Sequence, residues 1–199
     1  MARTCELYLR LSGDELPSSE GLEAIIRAAL PSAILIARTI LEKPGNKYPL
    51  NGAMGLIRGQ DIAVLFEDNT SLAAKLKADG VHLNGTEADV REARRLLDED
   101  AYVGVSSPLS RHEAMVLGEA GASYVAFAAN GDFDALLDMT EWWADIIDLP
   151  CAIWLDADAD EAMMRELIEA GADYLAPEVA ADTEPDRLAR IHELVKSSK

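Results

Sequence analysis

The side chains with chemistry to offer fall just behind short apolar runs. Arg10 follows Leu7-Tyr8-Leu9, Arg38 follows Ile34-Leu35-Ile36-Ala37, and Glu67, Asp68 and Asn69 close the run from Ile62. Asn84 and Glu87 come after Val81-His82-Leu83, and Ser106 and Ser107 after Tyr102-Val103-Gly104-Val105. Asn130 and Asp132, then Asp156 and Asp158, then Glu178 stand behind the last three runs. The set is strongly acidic. Carboxylates crowded together repel one another unless a cation sits among them. Mg²⁺ suits such a place, because it binds through one or two carboxylates plus water and substrate oxygens. Asp68 and Glu87 are the candidate metal ligands. A second reading stays open, in which carboxylates cap helix N-termini, and Asp156, Asp158 and Asp160 fit it well.

Positioning these residues requires a repeating scaffold. The runs read as strands at Glu6–Leu11, Ala33–Thr39, Ile62–Glu67, Gly80–Leu83, Tyr102–Ser106, Tyr124–Ala128, Ala152–Asp156 and Tyr174–Pro177. Segments of helical periodicity follow at Ser19–Leu30, Ser71–Ala78, Glu87–Leu97, Ser110–Ala120, Phe133–Ile147, Asp160–Ala170 and Pro185–Val195. Nearly continuous apolar strands alternating with helices call for a parallel sheet covered on both faces. About eight such units in 199 residues predict a single-domain (β/α)8 TIM barrel, with a doubly wound open sheet as the competitor. Ala120-Gly121-Ala122 and Ala170-Gly171-Ala172 repeat one tight helix exit into a strand, with the glycine in the left-handed cap position. The exception is Leu41–Gln60, which holds Pro44, Gly45, Pro49, Gly52, Gly55 and Gly59. It reads as a loop with one short turn of helix around Ala53–Ile57.

Composition excludes several classes. Thirty-six acidic against eighteen basic residues give a net charge of −18, which repels nucleic acid and anionic lipid. No apolar run approaches the roughly 20 residues that span a bilayer, and the first residues carry no secretory signal pattern. A cytoplasmic protein is expected, with no nucleic-acid or membrane partner and a small-molecule substrate or ligand. The two cysteines, Cys5 and Cys151, lie in apolar runs and read as reduced core thiols. His82 lies in a strand and reads as a hydrogen-bonded structural residue; His112 and His192 fall on helices. Of Trp142 and Trp143 one must face inward, leaving the other partly exposed or at a subunit contact, as in a homodimer.

Three stretches bear a specific resemblance. Asp79-Gly80-Val81-His82-Leu83, Gly104-Val105-Ser106-Ser107 and Glu119-Ala120-Gly121-Ala122-Ser123-Tyr124-Val125-Ala126-Phe127 resemble successive signatures of the thiamine phosphate synthase family, which includes a related thiazole tautomerase. The resemblance covers essentially the whole chain and is densest between Ile62 and Phe127. It implies a TIM barrel of thiamine biosynthesis that couples hydroxymethylpyrimidine diphosphate to thiazole phosphate and releases pyrophosphate with Mg²⁺. It also implies roles. Arg38 and Ser106 would be catalytic, Arg38 steadying an anionic group and Ser106 bonding a leaving oxygen. Asp68 and Glu87 would hold Mg²⁺, and Ser107, Asn130 and Asp156 would contact substrate.

Departures from the family pattern are concentrated at the phosphates. A Gln-x-Arg-x-Lys pattern becomes Ile36-Ala37-Arg38-Thr39-Ile40, and a Gly-Pro-x-Phe-x-Thr loop becomes Ala128-Ala129-Asn130-Gly131-Asp132-Phe133. A Gly-Gly pair becomes Leu155-Asp156, and Pro177-Glu178 stands where a Ser and its amide are usual. Side chains block the backbone approach a phosphate needs, proline removes a donor, and carboxylates repel it. Lys43, Lys47 and Arg58 are the residues that could restore positive charge. Three functions remain open: a weak or altered synthase, a catalytically silent relative binding a small ligand or a protein partner, and an isomerase with a carboxylate base.

Overall fold

The computed structural model describes residues 4–155 and 159–197, with the side chains of Lys47 and Tyr48 outside the described set. Eight parallel strands close into a barrel in sequence order: β1 (Glu6–Leu11), β2 (Ala33–Ile36), β3 (Ala63–Glu67), β4 (Gly80–Leu83), β5 (Tyr102–Ser106), β6 (Tyr124–Ala128), β7 (Cys151–Leu155) and β8 (Tyr174–Val179). The expected TIM barrel is present. Each strand pairs with the next, and β8 pairs with β1 through Glu6↔Tyr174 and Arg10↔Glu178.

The helices are α1 (Ser19–Ala29), α2 (Arg38–Glu42), α3 (Lys47–Arg58), α4 (Thr70–Leu76), α5 (Glu87–Leu96), α6 (Arg111–Glu119), α7 (Phe133–Ile146), α8 (Glu161–Glu169) and α9 (Pro185–Ser197). Among the described residues no helix is long and apolar enough to cross a membrane. Strand alternation divides the core in two. Outward residues such as Leu9, Ile34, Val64, Phe127 and Ile153 pack under the helices, while Tyr8, Leu35, Leu65, Tyr124, Ala152 and Ala176 fill the barrel. Gly121 and Gly171 adopt φ of 106° and 95°, so both tight exits use the left-handed conformation that glycine tolerates.

Two expectations about the second unit need correction. The strand expected to run to Thr39 ends at Ile36, and Arg38 opens α2 instead. The cause is Glu67, whose Oε2 accepts the Arg38 backbone N–H at 3.0 Å and places a carboxylate at the positive end of that short helix. The stretch read as a loop contains the twelve-residue α3. Leu50, Ala53, Met54 and Ile57 are all buried and follow the i, i+3, i+4, i+7 spacing of an apolar stripe. Pro49 sits in the first turn, where its missing N–H is not needed, and Gly52 and Gly55 lie on the exposed face. Tertiary burial of the stripe outweighs the roughly 1 kcal/mol each glycine costs a helix.

Of the two adjacent tryptophans, Trp143 is fully buried and donates from Nε1 to the Leu149 carbonyl at 2.7 Å. Trp142 is partly covered by the Arg111 guanidinium, 4.6 Å from its ring centroid.

Candidate active site

The C-terminal ends of the strands surround a cavity of about 500 Å³, where barrels of this type carry their sites. Its cation among the described residues is Arg10. The β1 strand alternates Tyr8 inward, Leu9 outward and Arg10 inward, so the guanidinium enters the mouth rather than the helix layer. Nη2 donates to Glu67 Oε1 at 3.1 Å, and Nη1 lies 3.7 Å from Glu178 Oε2. The guanidinium also stands 5.9 Å from the Trp154 ring centroid, within the range of a cation–π contact.

Glu67 is buried and serves several elements at once. Besides Arg10 it accepts the Arg38 N–H at 3.0 Å and the Asn84 side-chain amide at 3.5 Å. One carboxylate thereby ties the mouths of β1, β3 and β4 to the start of α2.

On the opposite wall Ser106 ends β5. Its Oγ lies 2.9 Å from His82 Nε2 and accepts from Trp154 Nε1 at 3.3 Å. His82 is buried, and its Nδ1 lies 2.9 Å from the Tyr124 hydroxyl, which meets the Tyr8 hydroxyl at 2.7 Å. Burial, assisted by the Arg10 charge, pushes the His82 pKa down to about 3. The imidazole is therefore neutral at physiological pH.

A stability effect follows with a definite sign. The folded pKa lies below the ordinary imidazole value of 6.5, so between pH 6.5 and about 3 only the unfolded chain takes the proton. Protonation then favours unfolding, and stability falls with acidification by about 1.4 kcal/mol per pH unit from this group. Urea unfolding between pH 7 and 4.5 should show a steeper loss for the wild type than for His82→Asn, which has no such proton to take up. Equal slopes would mean that His82 titrates normally.

The residues singled out in the sequence divide unevenly. Ser106 and Asn130 line the mouth. Ser107 is buried and its hydroxyl donates to the Pro108 carbonyl at 2.9 Å, so it is engaged by its own turn. Arg38 lies apart: its side chain is exposed, pairs with Glu42 at 2.7 Å and borders a separate cleft beside Asp68. Asp156 lies outside the described residues. Lys43 is bound to Glu15 at 2.9 Å, and Arg58 stands 3.6 Å from Asp79 and donates to the Lys77 carbonyl. Neither brings charge to the mouth; the Lys47 side chain lies outside the described set.

The fit to a resident Mg²⁺ is poor. Asp68 Oδ1 accepts the Asn84 N–H at 2.7 Å and Oδ2 accepts its side-chain amide at 3.0 Å. Glu87 is half-exposed and pairs with Arg91 of its own helix at 3.9 Å, while Asp89 and Glu92, not Glu87, border the cleft with Asp68. Among the described residues no group of three His, Cys, Asp or Glu could hold a metal. Several acidic residues behave instead as caps: Asp132 accepts the Ala135 N–H at 3.0 Å and Asp160 the Ala162 N–H at 2.8 Å.

Residues 50–180 match the sequence profile of thiamine monophosphate synthase. The chain belongs to that family. Thiamine-phosphate synthase of Erythrobacter litoralis is 41% identical over 138 residues, 65% of this chain and 64% of the relative. That of Rhodospirillum centenum is 39% identical over 128 residues, 61% of each chain. The matched stretch thus spans somewhat less than two thirds of these relatives. A solved thiamine phosphate pyrophosphorylase from Pyrococcus furiosus superposes with a TM-score of 0.79 at 20% identity, over 97% of this chain and 96% of that one, a likeness of fold. Within the thiamine monophosphate synthase family, this chain places a β1 arginine and a β8 glutamate across one mouth.

Proposed function

We propose that this chain works in thiamine biosynthesis as a thiamine phosphate synthase-type protein with a weakened hold on phosphate. In that reaction hydroxymethylpyrimidine diphosphate is coupled to thiazole phosphate and pyrophosphate leaves. The observation that carries this reading is the convergence of Arg10, Ser106 and the Trp154 face on one mouth cavity. Trp154 offers a flat apolar wall for a ring, and Arg10 and Ser106 offer hydrogens to a leaving oxygen.

Among the described residues three carboxylates, Glu67, Asp160 and Glu178, line the same cavity against one guanidinium, which works against a polyanion. The pairing of Arg10 with two of them also favours a second reading, a binder of a non-phosphorylated ring. A cytoplasmic location and a homodimer accord with either reading and are proposed with them. Calorimetric titration of hydroxymethylpyrimidine diphosphate and thiazole phosphate, each with and without Mg²⁺, separates the two. Binding in the tens to hundreds of micromolar, followed by pyrophosphate release, is the expected result. No binding of either compound to folded protein, with binding of the unphosphorylated ring alcohols, would replace the synthase reading by the second.

A further inference from the structure

The hydrogen-bonded series Tyr8–Tyr124–His82–Ser106 resembles, at its upper end, a serine–histidine pair of the kind that activates a nucleophile. Its hydrogens decide otherwise. The neutral imidazole carries one N–H and one acceptor nitrogen, and each hydroxyl carries one hydrogen. The series can therefore run in two directions. In one, Tyr8 donates to Tyr124, Tyr124 to Nδ1, and Nε2–H to Ser106 Oγ. In the other, Ser106 donates to Nε2, Nδ1–H to Tyr124, and Tyr124 to Tyr8.

Either way one hydrogen is left over, and it emerges at an end of the series. In the first direction it belongs to Ser106, which is half-buried and lines the mouth. In the second it belongs to Tyr8, which is 2% exposed beside a smaller cavity lined by Tyr102, Tyr124 and Tyr174 and has no hydrogen-bond partner but Tyr124 among the described residues. A buried hydroxyl hydrogen without an acceptor costs about 1–3 kcal/mol, whereas one facing the mouth finds water or ligand. Trp154 Nε1, a donor only, gives its hydrogen to Ser106 Oγ in either direction; in the first, both lone pairs of that oxygen are then taken and only its hydrogen is left for the mouth.

We infer that Tyr124, backed by Tyr8, is a positioning residue that fixes His82 as its Nε2–H tautomer and holds Ser106 as a donor into the mouth. Ser106 then offers a ligand a hydrogen rather than a nucleophilic oxygen. With Arg10 across the mouth, the site recognises an acceptor atom, such as an ester or ring oxygen or a ring nitrogen, lying over Trp154. This concerns the same mouth as the proposed function, but the readout below needs neither ligand nor turnover, so the two can fail separately.

The test is ¹⁵N NMR of the imidazole nitrogens. Of the three histidines, His112→Gln and His192→Gln remove the other two signals and assign His82. The expected result is a pyrrole-type Nε2 and a pyridine-type Nδ1, unchanged in Tyr8→Phe. The opposite tautomer in the wild type, or a flip between wild type and Tyr8→Phe, would overturn the inference; the wild-type spectrum suffices if the variant does not fold. Diisopropyl fluorophosphate should leave Ser106 unmodified by mass spectrometry, and phosphorylation there would make Ser106 a nucleophile and defeat the assignment.

Discussion

Gly104→Ala is expected to lower the unfolding midpoint by about 8–16 °C, the loss corresponding to about 4 kcal/mol in a domain of this size. Gly104 sits in β5 directly between His82 of β4 and Tyr124 of β6, its register partners on either side. The two rings reach across the glycine, with centroids 5.6 Å apart and planes 28° from parallel. A Cβ on Gly104 would overlap the Tyr124 ring itself. Moving that ring aside breaks the bonds that His82 and Tyr8 make to its hydroxyl inside the barrel. Overpacking is compounded by the hydrogen bonds that must break when the rings part. Thermal unfolding of Gly104→Ala, Tyr124→Ala and the double variant checks the cause. The double variant should lose much less than the sum of the singles, because removing the ring removes the clash. Additive losses would place the strain somewhere other than the Tyr124 ring.

Much of the barrel could be read from residue order alone because its units are redundant. Eight apolar runs, each followed by a helix-length segment, leave few topologies open, and a missed boundary in one unit does not change the count. The boundaries failed where a tertiary contact overrode local preference. Nothing near Arg38 in sequence announces that Glu67, a residue from the next strand, captures its N–H and ends β2 early. In α3 the glycines and prolines were weighed above the Leu50, Ala53, Met54, Ile57 stripe, although the stripe decides the matter once a core exists to receive it.

The mouth was legible in position but less so in detail. Strand ends pointed to Ser106 and Asn130, which line the cavity, and the acidic bias of the site is present among its lining residues. The cation expected at the site was Arg38, whereas Arg10 lines the mouth and Arg38 borders a separate cleft. An available signal was the alternation in Leu7-Tyr8-Leu9-Arg10-Leu11, which puts Arg10 on the same face as Tyr8 and hence inside. His82 was read correctly as hydrogen-bonded. Its partners Tyr124 and Ser106 come from strands separated from it by 42 and 24 residues, and only closure of the barrel shows that they meet. Trp154 packs its ring against Tyr8 and donates its Nε1–H to Ser106, a second contact between strands that no local pattern announces.

Glu178→Gln should raise affinity for hydroxymethylpyrimidine diphosphate, and for inorganic pyrophosphate as a simpler probe, by about tenfold. Glu178 lies 3.7 Å from Arg10 with a side chain 37% exposed, so the substitution removes a charge without emptying a buried site. A carboxylate a few ångströms from a bound diphosphate opposes it by on the order of 1–2 kcal/mol at the effective dielectric of a partly solvated mouth, and 1.4 kcal/mol is a factor of ten. Glutamine keeps the shape and a hydrogen-bonding end, and it leaves the Arg10 guanidinium to Glu67 and the ligand. Glu67 is the wrong residue to change, because it also holds the Arg38 backbone and Asn84. Calorimetry at low and high salt provides the check. The gain should shrink as salt rises and vanish when Arg10→Ala is added to Glu178→Gln. A gain that survives removal of Arg10 would place the phosphates elsewhere, in the cleft beside Arg38 for example. No gain at all would mean that the carboxylate is not what keeps diphosphate out, and the reading of this mouth as a site for an uncharged ring would then be the stronger one.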